Sequence, residues 1–164
     1  MHYSEDFKKK ATIYFIVFMI IVFIDQVSKR IILNSIGLNN SREFFPGILD
    51  LTVVQNTGGA FSILRQYQFI FKIIGVANIL LFSYLAFCPT VVLNFATKLG
   101  CACILGGTTG NIIDRFFVGG VIDFLDIQLF NFAVFNIADV FIDVGVVLII
   151  FGWFLSTKNQ KVGI

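Results

Sequence analysis

Four long apolar stretches alternate with polar ones along the chain, and their lengths predict its architecture. Ala11 to Ile24 carries no charge and continues through Asp25-Gln26-Val27-Ser28-Lys29-Arg30 into Ile31-Ile32-Leu33. This predicts a first membrane helix over about 11–33, because roughly 20 helical residues cross the hydrocarbon of a bilayer. Lys29 and Arg30 are expected to snorkel to the interface at its far end. A basic start before an apolar run also fits a cleaved signal peptide, but no small-x-small cleavage site follows. Tyr67 to Phe87 predicts a second span over about 67–87, with Pro89 just beyond it, and two more follow over about 98–116 and 136–156. Between the first two spans the chain turns polar and is broken by Gly37, Asn39-Asn40, Pro46-Gly47 and Gly58-Gly59. There the β-prone run Ile48 to Gln55 is expected to pair with Ala60 to Leu64 across the Asn56-Thr57-Gly58-Gly59 turn. Such a sheet must lie outside the hydrocarbon, where water satisfies its edges. Residues 117–135 are expected to form a loop.

Composition sharpens this picture. Hydrophobic residues make up 57% of the 164, charged residues only 13%, and there are 21 phenylalanines. A soluble domain averages about 25% charged residues, so the chain is an integral membrane protein with little length left for a soluble domain. The net charge is +2, and no basic run is interleaved with aromatics, which excludes nucleic acid as a partner. Cys88, Cys101 and Cys103 lie in or beside apolar segments without CxxC spacing, and the one histidine is His2. No zinc or haem ligand set exists, no cofactor is expected, and the cysteines read as small packing residues.

Spans alternate in direction. The end of the first, the start of the second, the end of the third and the start of the fourth therefore share one face. Asp25, Lys29, Asn56, Asn111, Asp114, Arg115, Asp123, Asn136, Asp139 and Asp143 all fall at or near it. Ionisable groups in such a setting are costly and usually functional. Asp25 and Lys29 stand four apart with the acid first, the favourable order for a helical ion pair. That pair eases the burial of both charges and props up a site at this end. A serine–lysine nucleophile at Ser28-Lys29 fails, because helical neighbours point about 100° apart. Gly106 and Gly110 form a small-xxx-small face on which a helix or a substrate backbone can lie close. Lys and Arg divide evenly between the two faces, so the positive-inside rule does not decide orientation. Lys29 and Arg115 have local acids, whereas the terminal lysines are mostly free, which favours cytoplasmic termini and an outward-facing site.

No nucleophile with an adjacent base is evident, which leaves paired aspartates. Two carboxyls held close do not both ionise easily: one keeps its proton, and the other takes a proton from water. The titration then belongs to the pair. Asn136 is placed to hydrogen-bond a carboxylate, and Arg115 to hold one ionised. Asp139 and Asp143 lie one helical turn apart and do not cradle a substrate between them. Asp123, from the preceding loop, can oppose Asp139 across a cleft. Asp114 reads as an ion pair with Arg115, and Asp126 as a solvated loop acid. Physics favours Asp123 with Asp139 while leaving the other pairings open. Two rival readings stand beside a hydrolase. One is a small ion- or proton-coupled transporter, against which the acids cluster at one face and no internal repeat is visible. The other is a structural protein whose carboxylates only pair with Lys29 and Arg115.

Five motifs, in order, bear a family likeness: Asp25-Gln26-Val27-Ser28-Lys29; Asn56-Thr57-Gly58-Gly59-Ala60-Phe61; Gly106-Gly107-Thr108-Thr109-Gly110-Asn111-Ile112-Ile113-Asp114-Arg115; Val121-Ile122-Asp123-Phe124; and Phe135-Asn136-Ile137-Ala138-Asp139. With four spans at this length, the chain closely resembles bacterial lipoprotein signal peptidase (signal peptidase II), an aspartic protease of the cytoplasmic membrane. The resemblance implies that Asp123 and Asp139 are the catalytic pair, with Asp25, Lys29, Asn56, Gly110, Asn111, Arg115 and Asn136 shaping the site and binding substrate. It implies an all-α integral membrane fold of four transmembrane helices, with a small extracytoplasmic β-cradle over about 37–66. It also implies a multi-pass protein of the inner membrane with its site at the outer face; the chain is expected to act as a monomer. The substrate would be a prolipoprotein, cut just before a cysteine already carrying diacylglycerol, and the antibiotic globomycin would inhibit it. Gly59 departs from the alanine more usual there, and Asp143 stands where a small or apolar residue is more usual. Asp143 is expected to be dispensable.

Overall fold

A helix with too many glycines, threonines and polar groups to face lipid must sit among other helices, and the helix Phe95–Phe117 does so. The computed structural model describes residues 2–58, 67–130 and 132–162. Within them, α1 (His2–Ile36), α2 (Gln68–Phe87) and α4 (Ile137–Val162) surround α3 (Phe95–Phe117). Helices α1, α2 and α4 are each long and apolar enough to cross a membrane. They turn Phe23, Phe69, Leu80 and Val147 outward, each more than three-fifths exposed. In water so broad an apolar surface would drive association; here its solvent is lipid. Helix α3 is of similar length but nearly continuously buried from Lys98 to Ile112.

Glycines let the backbones approach. A Cβ at Gly106 would stand 2.9 Å from Ile21 and 3.3 Å from the Phe18 carbonyl oxygen, and one at Gly110 would collide with the Asp25 carboxylate. The predicted small-residue face is therefore where α1 docks. A second seam, not foreseen, joins α3 to α4: Gly100 and Gly145 lie against each other's carbonyl oxygens, and Gly107 lies against that of Ala138. Lipid tails are as apolar as the helices, so close packing of this kind, not hydrophobic exclusion, holds such helices together. At the start of α3, Asn94 Oδ1 accepts from Thr97 N at 2.9 Å, while its Nδ2 donates to Gly152 O at 2.6 Å. One side chain thus caps α3 and ties it to α4.

The extramembrane part is a three-stranded antiparallel sheet ordered β1 (Ser41–Phe45), β2 (Leu49–Asn56), β3 (Val121–Ile127). Gly47 takes the left-handed conformation (φ 69°) at the tight connection of β1 to β2. The strand expected over 48–55 forms as β2, paired with β1 and β3; its expected partner, residues 60–64, lies outside the described residues. One expectation is corrected. The stretch expected to be a loop contains β3, because Ile122 and Phe124 alternate inward and pack on Val53 over Ile32, Leu33 and Ile36 at the end of α1. The fold is thus mostly helical with a small sheet drawn from two separate parts of the chain.

The Gly145 seam makes a direct prediction. Gly145→Val puts a Cβ 2.6 Å from Ile104 Cγ1 and 2.7 Å from the Gly100 carbonyl oxygen. Overpacking of this kind is expected to destabilise the protein by about 1–3 kcal/mol. Thermal unfolding in detergent should register the loss, whereas Val147→Ala on the lipid face should change little.

Candidate active site

Asn136 is the residue immediately before α4, and its first task is to cap that helix. Its Oδ1 accepts from Asp139 N at 3.0 Å, and Asp139 Oδ2 accepts from Asn136 N at 3.2 Å. This reciprocal pair is a capping box built with Asn and Asp. Its amide has protons left over, and Nδ2 donates to Asp123 Oδ1 at 2.6 Å and to Asn111 Oδ1 at 3.1 Å. One buried residue therefore touches both carboxylates, Asp123 through its side-chain amide and Asp139 through its backbone N–H. The second oxygen of each is also occupied: Asp139 Oδ1 accepts from Asn111 Nδ2 at 2.8 Å, and Asp123 Oδ2 from Asn56 Nδ2 at 3.0 Å. Asn56 is itself held, its Oδ1 accepting from Gly58 N at 3.0 Å.

Beneath this amide layer lies a buried ion cluster. Lys29 Nζ is 2.9 Å from Asp25 Oδ2 and 2.8 Å from Asp114 Oδ2, and it donates to Asn111 Oδ1 at 3.0 Å. Asp25 Oδ1 accepts from Ala138 N at 3.0 Å, fixing the first turn of α4. Asp114 Oδ2 accepts from Ile122 N at 3.1 Å, fixing β3. Gly110 provides the gap through which Asp25 reaches across. Gln26 completes the cluster: its Nε2 lies 3.2 Å from Asp25 Oδ2, 3.2 Å from Gly110 O and 3.0 Å from Asp114 Oδ1. Sequence reasoning passed over Gln26; its signal was an amide beside a buried aspartate.

The structure brings together all nine residues singled out as the site: Asp25, Lys29, Asn56, Gly110, Asn111, Arg115, Asp123, Asn136 and Asp139. Three readings of individual groups change. Lys29 does not snorkel; it points inward and is 3% exposed, because two carboxylates there attract it more strongly than the interface does. Asp114 pairs with Lys29, not with Arg115. Arg115 instead donates to Asn111 O and Gly58 O, both at 3.3 Å, and its guanidinium lies 5.6 Å from the Phe71 ring centroid. Asp126 is no loop acid: it is half-buried in β3 and accepts from Thr52 Oγ1 at 2.8 Å.

A cavity of about 300 Å³ opens onto the carboxylates. Asn56, Asn111, Arg115, Asp123, Asp139 and Asp143 line it, with Phe132, Val134 and Phe135 on the apolar side. Asp143 is exposed there, one turn along α4 from Asp139. Burial pushes the Asp123 carboxyl up to about 6 from an ordinary 3.8; the nearby Asp139 charge adds to this, and the Asn56 and Asn136 amides oppose it. Among the described residues no group of three His, Cys, Asp or Glu side chains is arranged to hold a metal. What the arrangement can do is hold two carboxyls, differently protonated, against a substrate that reaches in from an apolar surface.

A helical membrane scaffold with such a carboxylate site defines a membrane enzyme. A family model for signal peptidase (SPase) II matches residues 17–155, and the chain belongs to that family of proteases. Among its relatives, the lipoprotein signal peptidase of Nostoc punctiforme is 38% identical over 152 residues, spanning 92% of this chain and 95% of that protein. The lipoprotein signal peptidase of Lactobacillus johnsonii is 35% identical over 153 residues, or 93% and 99% of the two chains. A solved structure described as a bacterial membrane enzyme, determined in meso at 2.3 Å resolution, superposes with a TM-score of 0.82 at 31% identity. It covers 91% of this chain and 92% of that one. The protein is accordingly a multi-pass membrane peptidase.

The electrostatics can be tested at two residues. Lys29→Met strands two buried carboxylates and is expected to cost about 3–5 kcal/mol, read as a lowered unfolding temperature. Asp123 gives a pH signature. A carboxyl raised from 3.8 to about 6 on folding binds more protons in the native state than in the unfolded state between those values. Stability therefore falls as pH rises through that window, by up to about 3 kcal/mol from this group. The stability of wild type relative to Asp123→Asn should thus improve as pH drops from about 7 to about 4.5. A difference that stays constant with pH would refute the raised carboxyl.

Proposed function

We propose that the chain is a membrane aspartic endopeptidase that cuts the signal peptide from prolipoproteins just before the diacylglyceryl-modified cysteine, with Asp123 and Asp139 as its catalytic pair. The observation that carries this reading is Asn136, which binds both carboxylates that line the cavity, Asp123 through its side-chain amide and Asp139 through its backbone N–H. Asp139 accepts a backbone N–H in the first turn of α4, where the helix dipole favours an anion, so it is the base that takes a proton from the attacking water. Asp123, more readily protonated because it is buried beside Asp139, hands its proton to the carbonyl oxygen as the tetrahedral intermediate forms. Collapse of that intermediate expels the new amino terminus of the cysteine, and the two carboxyls exchange roles. Asn56, Asn111 and Asn136 hold them in register, and Lys29 with Asp25, Gly110 and Asp114 holds the asparagines and the start of α4. Arg115, on the cavity wall, takes substrate carbonyls.

All four helices would span the bilayer, with α3 screened by the others. The termini would lie in the cytoplasm and the sheet and cavity at the outer face of the inner membrane. The apolar wall of Phe132, Val134 and Phe135 suits a lipidated cysteine, whose acyl chains stay in lipid while water reaches the scissile bond. Globomycin would compete for this cavity, and the chain would act as a monomer.

Purified wild type, Asp123→Asn, Asp139→Asn and Asp143→Asn should be assayed on a diacylglyceryl-modified prolipoprotein, with thermal unfolding as a folding control. The first two variants are expected to lose at least about a thousandfold in rate while staying folded. Asp143→Asn is expected to keep near wild-type cleavage. Cleavage retained by either Asp123→Asn or Asp139→Asn breaks the assigned pair.

A further inference from the structure

At the end of the bundle opposite the carboxylates, a second cavity of about 190 Å³ lies between the start of α1, the 89–95 connection and the first turn of α3. Asp6, Lys10, Tyr14, Asn94, Phe95 and Lys98 are among the residues lining it. Its space corresponds to roughly six water molecules.

Lys98 is the anomaly there. It is 5% exposed, yet no carboxylate among the described residues pairs with it. Its ammonium donates to the Cys88 carbonyl at 3.2 Å and lies 5.0 Å from the Phe7 ring centroid. Both are uncharged partners, and an ammonium has three donors, so the buried charge is solvated but not neutralised. Tyr14 is a second unfinished group. It is 1% exposed, lines the same cavity, and its hydroxyl makes no hydrogen bond among the described residues. The one acid in the lining, Asp6, is already held by Lys10 at 2.7 Å. A buried cation with spare donors and an unused hydroxyl, facing one cavity, together specify an oxygen-rich anion.

The surroundings say where that anion comes from. Among the described side chains, Lys8, Lys9, Lys10, Lys98 and Lys158 stand at this end of the bundle against Glu5 and Asp6, an excess of three positive charges. Val92 in the connecting segment is 85% exposed, beside the exposed Phe95 ring. An exposed aliphatic tip, an aromatic and a basic collar at the end of a membrane helix bundle are the features of a lipid headgroup site. A soluble anion would need no apolar rim.

We propose that this cavity binds the phosphate of an anionic membrane phospholipid, with Lys98 and the Tyr14 hydroxyl as its direct ligands and Lys10 at its mouth. Such a site would clamp the ends of α1, α2 and α3 together by supplying the counter-charge that Lys98 lacks.

The test is thermal unfolding of the delipidated enzyme in detergent, titrated with phosphatidylglycerol, with phosphatidylcholine of the same acyl chains, or with inorganic phosphate. Phosphatidylglycerol should raise the unfolding temperature at concentrations at least about tenfold below those of phosphatidylcholine. Lys98→Gln should abolish that preference, and Tyr14→Phe, which removes only the hydroxyl and spares the fold, should weaken it several-fold. Lys158→Gln on the exposed surface should leave it intact. Equal responses to the two lipids, or a preference that survives in Tyr14→Phe and Lys98→Gln alike, would overturn the proposal. A response to inorganic phosphate that phosphatidylglycerol does not improve on would overturn the lipid source.

Discussion

Burying an ammonium between two carboxylates inside an apolar bundle is the constraint on which the rest of this molecule turns. The desolvation of three charges is recovered only if the geometry is close and the remaining lone pairs are filled. Lys29, Asp25 and Asp114 meet that condition, at 2.9 and 2.8 Å, and the carboxylate oxygens also accept from Ala138 N, Ile122 N and Gln26 Nε2. Each of those donors lies on a different element. The same bonds that make the cluster tolerable therefore tie α1 to α3, to β3 and to the first turn of α4.

The second layer inherits its precision from the first. Asn111 accepts from Lys29 and donates to Asp139, so the ammonium orients an amide, which in turn orients a carboxylate. Asn136 is positioned by a requirement of any helix, the capping of its first turn, and its spare protons reach Asp123 and Asn111. Site geometry and helix-end geometry are the same bonds. Two carboxyls are thereby placed on regular elements, a strand and a helix start, whose backbones are already fixed.

The apolar environment sets the remaining terms. With lipid outside, polar residues have to collect on the one helix the others cover, and glycines are needed to let those others in. Helix α3 meets both needs: Gly106 and Gly110 admit α1, Gly100 and Gly107 admit α4, and beyond them Asn111, Asp114 and Arg115 reach the site at its far end. The sheet, outside the hydrocarbon, is free to join strands from distant parts of the chain, and so brings Asp123 beside Asn56.

Much of this was legible in the residues. Hydropathy located α1, α2 and α4, because a run of about 20 apolar residues is hard to keep in water and matches the thickness of a bilayer, and the glycine-rich run before Asn111 marked α3. The alternating direction of those helices was enough to gather the polar groups at one end. The Asp25–Lys29 pair followed from helical spacing. What the sequence could not decide was anything that depends on which distant neighbour is nearest. Asp114 stands next to Arg115 in the chain, but adjacent residues on a helix diverge, and the closer cation was Lys29, far earlier in the chain. Lys29 was free to snorkel until two carboxylates converged on it. The strand β3 hid in a segment bracketed by polar turns because its partner, β2, lies on the other side of two helices in the sequence. Local periodicity determines elements and their polarity; through-space competition among buried charges decides which of them meet, and that is settled only when the chain is folded.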